Sequence, residues 1–473
     1  MNDKIIVHWF RQDLRIRDNP SFSIACDRGQ VMPIYILDTH CPKNYQLGNA
    51  SKWWLHHSLI SLQNTLKGNL LFFMGDPKII ISSLIDQYKI SAVNWNRCYM
   101  PWEIKRDQEI TKLLMSKSVE VHTYNGSLLW EPWKILKQDG TPYKVFTSFY
   151  KKGCLSSNDS IRRIVAAPKK INYFLGHEEN RDVNKLNLLP SMNWHLKLHK
   201  YWEIGETAAL EKFNNFSNAA VYNYKEGRDY PGENYVSRLS PHIRFGEISP
   251  NYIWYKVNSL KKSRDTEHFL SEIGWREFSY NLIFHFPSIT HDNLQTVFNN
   301  FPWNKNEKYL NAWKHGKTGY PIVDAGMKQL WEEGYMHNRV RMIAASFLTK
   351  NLLLNWKLGE RWFWDCLVDA DLANNSASWQ WVAGSGADAA PYFRVFNPIL
   401  QGEKFDEDGK YTKKYLPQLI NIPKKYLFCP WIAPRDVLED SGIKLGENYP
   451  YPLVDLNQSR TLALESYNKM KQG

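Results

Sequence analysis

Short apolar runs alternate with amphipathic stretches along the first 125 residues. The runs at 5–10, 31–37, 70–74, 92–95 and 119–124, rich in apolar, β-branched and aromatic residues, read as short buried strands. Between them, 52–67, 77–88 and 102–116 carry apolar residues at helical spacing. Strand–helix alternation with connections of this length predicts a doubly wound α/β domain, a parallel sheet with helices on both faces. After about residue 130 the pattern weakens. The stretch 161–200 has eight Lys or Arg, three Asp or Glu, and the breakers Pro168 and Pro190, which suits a long connector crossing a surface. From about residue 204 the period is helical, notably at 269–286, 322–330, 338–356 and 361–371. The expected organisation is an α/β domain at 1–131, a connector at 132–202 and an all-α domain at 203–473.

Composition narrows the function. No apolar run reaches membrane-spanning length, and the start MNDKIIVHWF lacks a signal-peptide core, so a cytoplasmic protein is expected. The six cysteines are scattered without a CxxC pair, which argues against a disulfide framework or a structural zinc site. The net charge of +12 suggests a polyanionic partner, although a Lys-rich codon bias gives the same number. Twenty tryptophans are unusual. Most buried indoles simply pack, but this many invites stacking on bases or on a flat cofactor.

Two motifs mislead. Gly384–Ala389 fits GxGxxA but lacks the preceding buried strand of a dinucleotide fingerprint. Gly316-Lys317-Thr318 ends like a P-loop, yet Asn311 stands where its first glycine belongs.

Four stretches carry chemistry. In 272–279, helical spacing puts Glu272, Trp275 and Arg276 on one face. In 338–342, Asn338, Arg341 and Met342 share a face while Arg339 points elsewhere, toward a phosphate. Asp369 and Asp371 lie close together before Trp379-Gln380-Trp381; if buried they need a counter-charge, for which Arg341 is the candidate. A metal is not expected there, because no histidine cluster surrounds them. Tyr224 through Pro231, followed by Ser237-Arg238-Leu239-Ser240-Pro241, offers hydroxyls and backbone N–H groups suited to phosphate.

Taken together, WFRQDLRIRDNP (9–20), GKTGYPIVDAGM (316–327), MHNRVRM (336–342), the WQW stretch and PYFRVFNPILQGEKFD (391–406) resemble the DNA photolyase/cryptochrome family, most closely the class I cyclobutane pyrimidine dimer photolyases of bacteria. The resemblance spans nearly the whole chain. It implies an antenna-binding α/β domain and a helical domain holding FAD, active in its reduced, anionic form. By position it implies FAD-phosphate contacts at Tyr224, Val236, Ser237, Arg238, Leu239 and Ser240. Around the ribityl chain and isoalloxazine it implies Asn338, Arg341, Asp369, Ala370, Asp371 and Asn375, the last facing flavin N5. Val236 replaces the family's usual threonine, so modestly weaker FAD retention is expected.

The resemblance further implies DNA and lesion contacts at Arg228, Glu272, Trp275, Arg276, Arg339, Met342, Trp381, Arg394 and Gln401. A dimer must leave the duplex to reach a buried flavin, and rim arginines make affinity fall with salt. Glu272 is the implied catalytic carboxyl; protonated it donates to a base carbonyl, ionised it accepts from base N–H. Trp379, Trp356 and Trp303 match the tryptophan relay that reduces oxidised flavin in light. Glu103 matches a pterin-contacting glutamate, which implies 5,10-methenyltetrahydrofolate as antenna. Trp102 in place of asparagine and Thr290-His291 in place of Cys-Lys leave deazaflavin or an empty site as alternatives.

The expected function is therefore light-driven splitting of pyrimidine dimers by a deoxyribodipyrimidine photo-lyase. The alternatives are a DASH-type or other cryptochrome photoreceptor and, less favoured, a (6-4) photolyase, which carries histidines where Asn338 and Met342 stand. Damaged DNA is the expected partner. No membrane and no obligate protein partner are expected, and a monomer is the default.

Overall fold

The computed structural model describes residues 4–177, 179–392 and 394–472. Two compact units emerge. The first combines Met1–Ala219 with Ser237–Pro287, and the second combines Ala220–Val236 with Ser288–Gly473.

The first unit contains a five-stranded parallel sheet of order β3-β2-β1-β4-β5. The strands are β1 (Ile5–Phe10), β2 (Gln30–Asp38), β3 (Leu71–Gly75), β4 (Ile90–Asn96) and β5 (Glu120–Tyr124). Each of the predicted runs is a strand, but β5, at the sheet edge beside β4, is exposed to half-buried along its length rather than buried as expected. Helices α1 (Pro20–Arg28), α2 (Asn49–Thr65), α3 (Pro77–Gln87) and α4 (Pro101–Ser116) make the crossovers. β1 pairs with both β2 and β4, so the winding reverses beside it and a doubly wound sheet results. Val7, Trp9, Met32, Ile34, Val93 and Trp95 fill its core, which is why the central strands β1, β2 and β4 are rich in apolar residues. Sequence periodicity missed α1. Its start is nevertheless marked: Asn19 Oδ1 accepts from Phe22 N at 3.0 Å, and Pro20 occupies the first turn.

Between β5 and α5 (Glu206–Asn218) the described residues form irregular chain with short helical pieces, among them Phe149–Cys154 and Asn193–Lys200. It returns to this unit as α6 (Ser240–Phe245), α7 (Pro250–Asn258) and α8 (Arg264–His285). Ser263 caps α8, accepting from Thr266 N at 3.2 Å.

The second unit is helical, and the helices that position its candidate residues are α9 (Pro321–Glu333), α10 (Asn338–Ser346), α11 (Trp356–Cys366) and α12 (Leu372–Ala383). Two sequence expectations need correction. The 338–356 period is not one helix: α10 loosens into a π turn at Phe347–Asn351 and stops. Leu353 then takes a left-handed φ of 52°, and Asn304 N donates to Leu353 O at 2.7 Å. The tertiary bridge between Asn304 and Leu354 overrides the local period. Likewise the 361–371 period ends with α11 at Cys366, leaving Asp369 in a turn and Asp371 as the N-cap of α12.

Among the described residues no helix is long and apolar enough to cross a membrane.

Candidate functional site

In the second unit, α10 and the turn before α12 bring the predicted charges together. Arg341 Nη2 donates to Asp369 Oδ2 at 2.8 Å and Oδ1 at 3.2 Å, and Arg341 Nε donates to Met336 O at 2.7 Å. Burial disfavours the Arg341 charge, but Asp369 and the Tyr335 hydroxyl more than offset it and raise its pKa. Asp371 Oδ1 accepts from Asn374 N at 2.9 Å, starting α12. One turn into α12, Asn375 is buried and its Nδ2 donates to the Glu360 carbonyl at 3.0 Å. Its Oδ1 keeps acceptor capacity. Ala370 is buried between the two carboxylates. Asn338 is exposed, with Nδ2 at 3.9 Å from the half-buried Met342 sulfur.

Glu360 was not singled out by sequence reasoning. Its carboxyl is pushed up to about 7 by burial and is bonded by the Ser376 hydroxyl. Nothing in its local sequence distinguishes it from a surface Glu.

The three tryptophans expected to form the relay lie in or against one core. Trp379 is buried with its ring centroid 5.0 Å from Phe363 and 6.2 Å from Trp313. Trp356 is fully buried, and its Nε1 donates to Asn293 Oδ1 at 2.9 Å. Trp303, half-buried, lies 4.4 Å from Phe301. The Asn304–Leu354 bridge joins the segment carrying Trp303 to the start of α11, which carries Trp356.

Segment 220–236 packs within the same unit. Tyr224 is buried, with Arg228 5.6 Å over its ring. Arg339 does not project freely toward a phosphate: its Nη2 donates to Asp229 Oδ1 at 2.6 Å, and its guanidinium lies 4.3 Å over Phe405. Asp229 is a missed partner, 110 positions away in the chain. Val236 and Gln401 are half-buried, and Trp381 is half-buried on α12. Arg394 is exposed, while its carbonyl accepts from Lys350 Nζ at 3.0 Å. Burial pushes that Lys350 amine down to about 8.

The P-loop-like turn has a structural explanation. Thr318 N and Oγ1 both donate to Asp324 Oδ1 at 2.7 Å, and Gly319 N donates to Oδ2 at 3.0 Å. A carboxylate of the protein occupies the nest where a phosphate would sit. Tyr449 OH donates to the same Oδ2 at 3.1 Å.

In the first unit, Ser237 Oγ accepts from Leu239 N at 3.4 Å. Arg238 takes a left-handed φ of 51° and stacks 4.4 Å over Trp202; Leu239 is buried and Ser240 exposed. On α8 the carboxylate, indole and guanidinium each have a close neighbour. Glu272 Oε1 lies 3.8 Å from His268 Nε2. Trp275 stacks on Phe146 at 3.8 Å. Arg276 Nη1 donates to Glu277 Oε1 at 2.9 Å and lies 4.6 Å over Tyr280. Glu277 is buried and pushed up to about 7 by desolvation, although Leu129 N and Trp130 N donate to it at 2.8 and 3.1 Å. His268, Phe146 and Glu277 were missed; only the helical spacing of His268 and Glu272 was visible in sequence. Glu103 is buried and its pKa is raised by that burial; it accepts from Gln12 Nε2 and Met100 N, both at 3.3 Å. Its neighbour Trp102 stacks on Tyr45 at 4.9 Å.

A parallel-sheet unit and a tryptophan-rich helical unit, the latter holding the Arg341–Asp369 ion pair and the buried Asn375 amide, fit the flavin-dependent photolyase class. Family models agree: residues 6–169 match "DNA photolyase" and residues 269–469 match "FAD binding domain of DNA photolyase". The chain belongs to the DNA photolyase/cryptochrome family. It is 43% identical to the deoxyribodipyrimidine photo-lyase of Agrobacterium fabrum, over 99% of this chain and 98% of that protein. It is 35% identical to cryptochrome-2 of Arabidopsis thaliana, over 99% of this chain and 80% of that one. The crystal structure of a bacterial class III photolyase from Agrobacterium tumefaciens superposes with a TM-score of 0.96 at 42% identity, covering 100% of this chain and 99% of that one.

FAD is the core cofactor of this family domain. The donor set suits it: a charged guanidinium held by a buried carboxylate, and an amide oxygen left as acceptor, match an electron-rich ring and its N–H edge.

Proposed function

We propose that this protein repairs pyrimidine dimers in DNA with light. The observation that carries the reading is the Arg341–Asp369 ion pair of the helical unit, in a chain 43% identical to a deoxyribodipyrimidine photo-lyase along its whole length. When bound and reduced, FAD supplies a photoexcited electron that opens the cyclobutane ring and then returns.

The chain's own residues position and tune. Arg341 supplies fixed positive charge near the ring, kept in place by Asp369. Asn375 presents its amide oxygen because Glu360 engages its nitrogen. Tyr224, Ser237, Arg238, Leu239 and Ser240 serve the phosphates, and Asn338 and Asp371 the ribityl side. Glu272, Trp275, Met342 and Trp381 meet the flipped lesion. Arg228, Arg276, Arg394 and Gln401 meet the DNA strand, while Arg339 first serves Asp229 and so contributes less charge than its sequence suggests. Trp303, Trp356 and Trp379 would carry an electron inward to reduce oxidised flavin in light.

The 42% identity and TM-score of 0.96 favour the class III subclass for this chain. Glu103 fits a folate antenna. We read the protein as a cytoplasmic monomer and retain 1–131, 132–202 and 203–473 as its functional divisions. The 35% identity to a plant cryptochrome supports a photoreceptor as the second reading. Repair of a thymine dimer in an oligonucleotide, by chemically reduced protein in blue light and in darkness, separates the two. Light-only repair is expected; no repair by FAD-loaded protein overturns the reading.

A further inference from the structure

One lysine, Lys350, stands in the mostly apolar run 347–354, and the fold buries it to 2% exposure in the π turn Phe347–Asn351 that ends α10. Single π turns are frequent at functional positions in helices. Dehydrating an ammonium is costly unless polar contacts replace the lost water. Two contacts do so here. Nζ donates to the Arg394 carbonyl at 3.0 Å and lies 5.4 Å from the centroid of the Tyr392 ring, within cation–π range. Burial alone lowers the Lys350 pKa, with no carboxylate among the described residues contributing. The carbonyl and the ring are what this amine is placed to meet.

Both partners belong to one turn. Arg394 N donates to Pro391 O at 2.9 Å and closes it. Within it Tyr392 is buried, stacked at 4.7 Å on Tyr467 and 5.4 Å from Phe301. Ala390 N donates to Trp381 O at 3.2 Å and so joins the residue before the turn to α12. Between the end of α12 at Ala383 and the helix Pro398–Phe405, the described residues form no helix or strand. Neither a helical ladder nor a sheet fixes Arg394, so individual contacts to this turn set its place. Arg394 is exposed, and the same residue thus has its carbonyl held from the interior and its side chain accessible from outside.

We propose that Lys350 is a positioning residue for DNA binding: its buried amine pins the Pro391–Arg394 turn from the protein interior and holds the Arg394 guanidinium ready for a phosphate of the DNA backbone. This rests on the reading that Arg394 meets the DNA strand. Lys350 touches neither DNA nor flavin in this role. It acts through the backbone of Arg394, so that the turn is ordered before DNA arrives and its ordering does not oppose binding. An apolar side chain of similar length would fill the same space and stack on the same ring, but would leave the Arg394 carbonyl without its donor.

The test measures binding of the FAD-loaded protein to a thymine-dimer oligonucleotide in darkness, across salt concentrations of about 50 to 200 mM. Lys350→Met, Arg394→Ala and the double variant are compared with wild type. Each single variant is expected to bind about fivefold more weakly and to lower the slope of log affinity against log salt by up to about one, the signature of one lost phosphate contact. The double variant is expected to bind no more weakly than Arg394→Ala, because Lys350 acts only through that residue. Limited trypsin digestion is expected to cut after Arg394 about tenfold faster in Lys350→Met, as the turn opens more often. Lys350→Gln takes its place under the same criteria should Lys350→Met fail to retain FAD. Wild-type affinity and slope in the Lys350 variant, an additive loss in the double variant, or unchanged cutting after Arg394 each overturns the proposal. Arg394→Ala separates the two levels. Wild-type affinity in that variant overturns the reading of Arg394 and the proposal with it, whereas weakened binding there beside wild-type binding by Lys350→Met overturns the tether alone.

Discussion

Gly359 on α11 lies against Trp379, one of the three tryptophans proposed for the relay. A Cβ placed there would sit 2.1 Å from Trp379 Cη2, 2.5 Å from Cζ3 and 2.6 Å from Leu348 Cδ2. Ordinary carbon contacts lie at about 3.5–4.0 Å, so Gly359→Ala demands a shift on the order of 1.5 Å. The indole cannot simply swing aside, because Phe363 and Trp313 pack its other sides. Two effects compete. Alanine gains about 1 kcal/mol of helix propensity over glycine, and overpacking costs about 1–3 kcal/mol. Overpacking wins, leaving a loss of about 1 kcal/mol, or a few degrees in Tm for a unit of this size. The displaced indole should also slow photoreduction of oxidised flavin, while pre-reduced protein repairs normally. Thermal melting and light-driven bleaching of the flavin absorbance measure the two effects. Trp379→Phe removes the clashing ring atoms, so the double variant should regain stability relative to additivity. A higher Tm with unchanged photoreduction in Gly359→Ala would refute the packing argument.

Four other outcomes are expected. Glu272→Ala should slow repair without releasing FAD; flavin loss on gel filtration would count against its assignment to the lesion. Trp303→Phe should block photoreduction but spare repair by chemically reduced protein, and wild-type bleaching kinetics would remove it from the relay. Asp324→Asn replaces an acceptor of four donors by a group with a competing amide, and should cost about 2–4 kcal/mol in chemical denaturation. His8 is pulled down to about 4 by burial, chiefly desolvation, against the opposing pull of Asp13. Because its folded value lies below the unfolded 6.5, the unfolded chain takes the proton first, and stability present above pH 6.5 is lost on acidification toward pH 4. At pH 5 that amounts to about 2 kcal/mol, and His8→Gln should shrink the difference between denaturation curves at pH 7 and pH 5.

The sheet was legible because burial on both faces of a central strand writes itself into sequence; Ile5–Phe10 is the clearest case. α1 was not, since nine residues with scattered apolar positions give little period, and only its Asn-Pro start betrays it. The false continuous helix at 338–356 failed for a tertiary reason, the bridge from Asn304. Arg341 and Asp369 could be paired in advance, because two carboxylates near a tryptophan-rich core need a cation. By contrast, Glu277 and Glu360 look like surface residues until burial is known. Arg339 looked free until the fold brought Asp229 to it.

The carboxylate cradled by Thr318 and Gly319 also bears on the order of assembly during synthesis. Asp324 leaves the ribosome on the order of 130 residues before Tyr449 and Leu453, whose OH and N–H close its nest and bind Thr318 O. At roughly 5–20 residues per second the charge waits on the order of ten seconds for its last donor. Until then α9 must stay hydrated at its start or dock with an incompletely bonded anion. The helical unit therefore acquires its final cooperativity late, and a nascent chain stalled before Tyr449 is the species most exposed to proteases and chaperones.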